Sequence, residues 1–355
     1  MKVRYTLGEV VASLAMIESP SSTAIIESKP PAYADEPDAP LEKEPLMPAE
    51  AAADQDVEIT VIDHKPVTAN IRSSIGLLHR TGGFFGRWRG FGLGMLYHFL
   101  HSLIANGLAS LVGFGIVGHA LTYTFTSLLT ARLHMAWTHA MIASPSPKPW
   151  FRRLVPRKQC RAILLPTLAF AAAQQATVIL PIAVAFALGL PQQMHNGNMQ
   201  AHHGSEAHGS CAMRALLMMR FLAVPLTAIF TALCVLLPAA VTLTRIEAAL
   251  LPADQSTIVS FDRTQVLGSL DLQQRGAARA VFLQAWRSFD RAARLRLIKL
   301  YAKMALVQIT IAVAGLALMG TELAVIGGER LFIAAKSGAA QMQLMAIEAQ
   351  KQGAN

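Results

Sequence analysis

The sequence predicts an all-α fold, a multi-pass transmembrane helical bundle of about five spans with amphipathic surface helices. Five apolar stretches carry that expectation: residues 91–112, 118–142, 162–189, 214–245 and 301–326. Each reaches the roughly 20 residues needed to cross a hydrocarbon core. They are continuously apolar and rich in Leu, Ala and Met, whereas strands of a membrane barrel alternate over about 10 residues. Helices remain, because in lipid every backbone amide must bond within the protein. The composition agrees: 53% of the 355 residues are hydrophobic and 15% charged, against about 25% charged in an ordinary soluble domain.

The third observation is where the cations sit. Arg72, Arg80, Arg87 and Arg89 precede the first span, and Lys148, Arg152, Arg153, Arg157, Lys158 and Arg161 join the second to the third. Nine more, from Arg263 to Lys303, lie around the junction of the fourth and fifth. The intervening turns, Gly113 to Gly118 and Leu190 to Cys211, contain no Lys or Arg. Cationic loops stay on the side from which insertion occurs, so the basic junctions and the N-terminus share the cytosolic or matrix side. An odd number of spans then puts the C-terminus on the other. The membrane is integral to the reading; a mitochondrial inner membrane and an endomembrane fit equally.

Taken in order, residues 1–68 read as a disordered acidic tail, 69–326 as the transmembrane domain and 327–355 as an amphipathic C-terminal helix or tail. Residues 1–70 hold 5 Lys/Arg against 13 Asp/Glu, a net of −8, while residues 71–355 hold 26 against 9, a net of +17. The basic surplus therefore belongs to the membrane part, and the partner it implies is the bilayer with its anionic headgroups, not nucleic acid. The tail has too few large apolar side chains to offset the entropy of ordering it. Residues 68–80 form an amphipathic surface helix, with Ile71, Ile75 and Leu78 on one face and Arg72 and Arg80 away from it. Pro166, Pro181, Pro225 and Pro238 kink the third and fourth spans. Arg87, Trp88, Arg89, Lys148, Trp150, Arg152, Arg153, Trp286 and Arg287 are the interfacial anchors, since Trp and Arg flank membrane helices at headgroup level.

Four segments, KPVTANIRSSIGLLHR, RWRGFG, MAWTHAMIASPSPKPWFRRLVP and AWRSFDRAARLRLIKLYAKM, together resemble a family of fungal multi-pass membrane proteins of unestablished function. Its members are often labelled "ubiquitin carrier protein". That label implies a soluble α/β domain with a reactive cysteine, and nothing in this chain supplies one; Cys160 is merely beside basic residues. A weaker, partial resemblance is to mitochondrial carriers. Gly83, Trp88, Arg89 and Gly90 match the junction where a matrix-side helix enters an even-numbered span, with Gly82 where that pattern has an acid. Pro238 and Arg245 are similar to the kinked odd-numbered helix, with Ala240 in the acidic position, and Trp286 and Arg287 repeat the junction before the last span. The resemblance implies a carrier that has lost its first helix.

Candidate site residues are the polar groups inside the apolar stretches. His98 and His101 lie three apart on one face of the first span, and His134 falls at comparable depth in the second. Gln174 and Gln175 stand mid-way along the third, Thr242 and Thr244 in the fourth. Such groups are costly in lipid and face a partner or a cavity. A small solute is the ligand this set would take as a transporter; haem is the cofactor the intramembrane histidines would take. The plainer reading is interhelical hydrogen bonding, with His139 at the interface. No acidic second shell accompanies the histidines, and no cofactor is predicted. The loop holding His195, His202, His203 and His208 would bind Zn or Cu weakly, its spacing lacking the pattern of a structural site. Two functional classes follow: a transporter or carrier-like protein, and a non-catalytic membrane organiser that binds lipid or protein.

Overall fold

The computed structural model describes residues 2–19, 21–27, 58–64, 66–113, 115–146, 155–156, 160–192, 211–268 and 277–326, with short pieces between 333 and 341. The chain divides into two units, Met1–Ile298 and Lys299–Asn355, which are described separately.

The fold is all-α apart from one small ribbon. A helix, α1, runs through Lys2–Tyr5, a π-turn at Thr6–Val11 and Ala12–Ile17. The strands β1 (Ser21–Glu27) and β2 (Glu58–His64) then pair antiparallel, Ser21 opposite His64 and Glu27 opposite Glu58. The expectation of an unstructured tail over 1–68 therefore fails for its first part. Val10, Val11, Leu14 and Ile17 are fully buried, and the burial of this apolar face offsets the entropy of ordering the segment. Residues 28–57 lie outside the described set.

The surface helix is present as α2 (Ile71–Gly82), with Leu78 buried and Arg72 and Arg80 exposed. It ends at Gly83, whose φ of 63° suits glycine. A 3₁₀ turn at Phe84–Trp88 leads into α3 (Phe91–Val112). Next come α4 (Gly115–Leu129), α5 (Ala131–Ile142), α6 (Arg161–Ala187), α7 (Cys211–Thr231) and α8 (Leu237–Ala249), α7 and α8 joined by a π-turn at Ala232–Leu236. Two short helices, α9 (Thr264–Leu267) and α10 (Ala277–Arg287), precede α11 (Arg291–Ile326).

Four helical runs are long and apolar enough to cross a membrane: Phe84–Val112, Arg161–Ala187, Met218–Ala249 and Arg291–Val325. The expected second span differs. It is divided at Thr130, where φ −92° and ψ 3° interrupt the helix, and neither α4 nor α5 alone has spanning length. Together they return the chain alongside α3: the turn is at Gly113, and the far end of α5 reaches α3's start, where Arg89 donates to the Ala143 carbonyl. A side chain at Gly94 would meet the Trp137 indole at 2.8 Å, so the ring lies against the bare backbone of α3 there.

The packed core lies at the basic end. Ala131, Met135, Ile163, Ile246, Val266 and Val281, drawn from α5, α6, α8, α9 and α10, form one buried cluster there. Every residue from Val241 to Leu251 is buried. The loop after α8 seals this end through backbone bonds: Ile258 to the Ile142 carbonyl at 2.9 Å, Ser144 to that of Ser256 at 2.8 Å and Ser19 to that of Ser260 at 2.9 Å. By contrast the most apolar window of Arg161–Ala187 is 17% buried and that of Met218–Ala249 only 6%. In the second unit and its approach, Arg291–Val325 buries none of its window. Helices so exposed and so apolar need lipid as their solvent.

Two outcomes follow. Gly94→Ala forces its methyl into Trp137 and costs about 1–3 kcal/mol, read as a lowered thermal midpoint in neutral detergent. Single cysteines at Asp254 and at Gln192, in membrane vesicles of one orientation, react with an impermeant maleimide from opposite sides; labelling of both from one side contradicts the threading.

Candidate functional site

The polar residues of the spans converge where α3, α4, α5 and α6 meet. Tyr97 is the hub: its ring centroid lies 5.1 Å from that of His98, 5.5 Å from His101, 5.2 Å from His134 and 5.7 Å from Trp137. His101 also meets Tyr123 at 4.5 Å, and the Tyr123 hydroxyl donates to Gln174 Oε1 at 3.1 Å. The structure thus brings His98, His101, His134 and Gln174 to one place, linked by aromatic rings. His98 is exposed while His101 is 5% exposed, so the two do not share one environment. Gln175 is half-buried beside Gln174, with no hydrogen bond to the cluster among the described residues.

Thr242 and Thr244 belong elsewhere. Thr242 donates to the Pro238 carbonyl at 2.8 Å and lines a separate cavity of about 170 Å³ with Trp286, Phe289 and Arg294; Thr244 is buried in α8. Lys148, Trp150, Arg152, Arg153, His195, His202, His203 and His208 lie outside the described residues. Of the remaining anchors, Trp88 stacks on Tyr5 at 6.5 Å, and Trp286 and Arg287 are exposed. No group of three or more metal-ligating side chains occurs among the described residues.

The hydrogen bonds assign the tautomer of His101. The Thr130 hydroxyl donates its one proton to the Thr126 carbonyl at 2.8 Å, so the 3.3 Å contact with His101 Nδ1 requires Nδ1 to be the donor. Nε2 is then a bare lone pair, buried and without a hydrogen-bond partner among the described residues. It is an acceptor available to a ligand.

Beneath this cluster sits an acid the sequence reading passed over. Glu247 is 0% exposed; its Oε1 accepts from His134 Nδ1 at 2.7 Å, and its main-chain carbonyl accepts from His139 Nε2 at 2.7 Å. One residue of α8 thereby holds two histidines of α5. The expectation that the histidines lack an acidic second shell is corrected by that pair; the expected interhelical bond of His139 is present. Two residues earlier, Arg245 is 2% exposed, donates to the Met16 carbonyl of α1 at 3.3 Å, and lies between the rings of Phe261 and Phe289 at 5.8 and 5.7 Å. The signal for Glu247 was its place in an apolar run: an ionisable side chain there must be paired.

The N-terminal helix closes over the site. The Tyr5 hydroxyl donates to the Arg89 carbonyl at 2.6 Å, and burial pushes its ionisation up to about 12, so it stays a donor. Trp137 Nε1 reaches the same hydroxyl at 3.4 Å. Glu18 fastens the other end, its carboxylate accepting from Val67 N at 2.7 Å and Thr68 N at 3.0 Å. Burial holds the Glu9 carboxyl above its ordinary range, against the opposing attraction of His134 and Arg4. No family model, curated protein or solved structure matches the chain.

His134→Ala or Glu247→Ala leaves a buried charge or dipole alone and costs about 3–5 kcal/mol, whereas the double variant costs clearly less than the two losses together. Thermal midpoints of the three variants check this. Because Glu9 is raised in the folded state, its contribution to stability is most favourable at acid pH and is lost as pH rises through the carboxylate range. Glu9→Gln is therefore more stable than wild type at neutral pH, and the difference vanishes at low pH.

Proposed function

We propose that this protein is a carrier-like membrane transporter of a small solute, shut on its basic side in the conformation described. One observation carries the reading: side chains from α3, α4 and α6 place the unpartnered His101 Nε2, Tyr123 and Gln174 together within the apolar spans. Polar groups cost free energy at that depth, and a solute that uses them offsets the cost. The closure is made by the buried helices α1, α5 and α8, tied by His134–Glu247 and by Arg245 to α1. Release of the solute on the basic side requires those ties to open. The twofold recurrence of amphipathic helix, aromatic-Arg junction and span, at α2–α3 and α10–α11, is in keeping with a carrier built from repeated units.

A second reading, a non-catalytic membrane organiser, is favoured by a different feature: the large apolar cavity of about 720 Å³ at the mouth of α3. The two separate by flux. Proteoliposomes of the full-length chain, offered a panel of radiolabelled carboxylates, amino acids and nucleotides, accumulate one class above protein-free vesicles. His101→Ala lowers that uptake about tenfold, the worth of a hydrogen bond to the solute. No uptake across the panel, or uptake unchanged in His101→Ala, contradicts the transporter.

A further inference from the structure

We propose that the cavity between α1, α2 and the mouth of α3 binds one anionic phospholipid, an acyl chain within it and the phosphate on Arg87. Its walls come from three elements: Leu7 of α1, Ile75 of α2, and Phe84, Trp88 and Phe91 at the entry to the first span. The volume, about 720 Å³, is that of a small-molecule site, and the lining is almost wholly apolar. Position decides what fills it. Arg87 and Trp88 lie at the very start of the spanning run Phe84–Val112, on the basic side, which sets the cavity at headgroup depth. At that depth Phe84 and Phe85 are 63% and 78% exposed, apolar surface that an acyl chain covers and water does not.

Charge selects the headgroup. The Arg87 guanidinium lies 5.5 Å from the Phe84 ring, and its Nε is buried without a hydrogen-bond partner among the described residues. Among the described residues Arg87 has no ion pair with a carboxylate. A phosphate supplies the missing acceptors as charge-assisted bonds, and a net-negative lipid is preferred to a zwitterionic one. Arg89, two residues on, serves a different end, since its guanidinium holds the Ala143 carbonyl. The site stands independently of transport.

The test uses the full-length protein in neutral detergent, with phosphatidylglycerol or phosphatidylcholine added. At lipid well above its dissociation constant, phosphatidylglycerol raises the thermal midpoint about 3 °C more than phosphatidylcholine does. Arg87→Gln abolishes that difference and Ile75→Trp, which fills the cavity, abolishes the response to both. A second readout does not depend on stability: phosphatidylglycerol brominated on its acyl chain quenches tryptophan fluorescence, and Trp88→Phe removes the quenched component. An undiminished phosphatidylglycerol preference in Arg87→Gln overturns the proposal, as does equal stabilisation by phosphatidylcholine. A lipid-independent dimer that protects Trp88 from quenching also overturns it, by placing a second copy on this face.

Discussion

A charge that cannot reach water must find its partner inside the protein, and Glu247 imposes that requirement on the whole basic end of this fold. Its carboxylate is fully buried, so α5 must present His134 at hydrogen-bond distance, and the main-chain carbonyl of the same residue takes up His139 one turn further along. Two bonds from one residue fix both the separation and the rotation of α5 against α8. The break at Thr130 makes this possible. An unbroken second span would continue the line of α4, whereas the interruption lets α5 turn its buried face, from Met135 to Ile142, toward α8. The cost of the interruption is limited because Thr130 donates back to Thr126 and accepts from His101.

Around that clamp the protein divides its solvents. At the basic end the packing is protein on protein: the loop after α8 is stitched by main-chain bonds to α5 and α1, and Arg263 bonds the Leu251 carbonyl at 2.8 Å and that of Gln255 at 2.7 Å. Away from it the helices touch along narrow seams and leave Leu, Phe, Ile and Met outward. Among soluble proteins such exposure signals aggregation; here it is the surface that lipid covers. The polar cluster of His101, Tyr123 and Gln174 sits between these regimes and meets the clamp through Tyr97 and His134.

Much of this was legible in the residues, and the limits have physical causes. Run length and the absence of Lys and Arg from alternate junctions are properties of contiguous sequence, so four of the five expected spans and the surface helix at Ile71–Gly82 follow from them, while the break at Thr130 in the second does not. Depth counting also placed His98, His101 and His134 near one another. Rotation about a helix axis is not contiguous information: Thr242 lines a cavity with Trp286 and Phe289 and Thr244 is buried in α8, although their depths admit one site with Gln174. Glu247 escaped because its partner is 113 positions away, and the aromatic hub Tyr97 because an interfacial or core role is the ordinary expectation for such a ring. The N-terminal helix was masked by its neighbours, whose acidic, Pro-rich composition dominates any average over the first 70 residues.

Inside the protein α5 and α8 are joined by His134 and Glu247. Solid-state NMR of the full-length chain in lipid, with ¹⁵N-histidine and ¹³C-glutamate labels and His134→Gln as the assignment control, measures that join directly. The account predicts strong dipolar coupling between the His134 Nδ1 and the Glu247 carboxyl carbon, as befits an Nδ1 to Oε1 contact of 2.7 Å. No coupling at that pair, in protein that retains its helical spectrum, would contradict it.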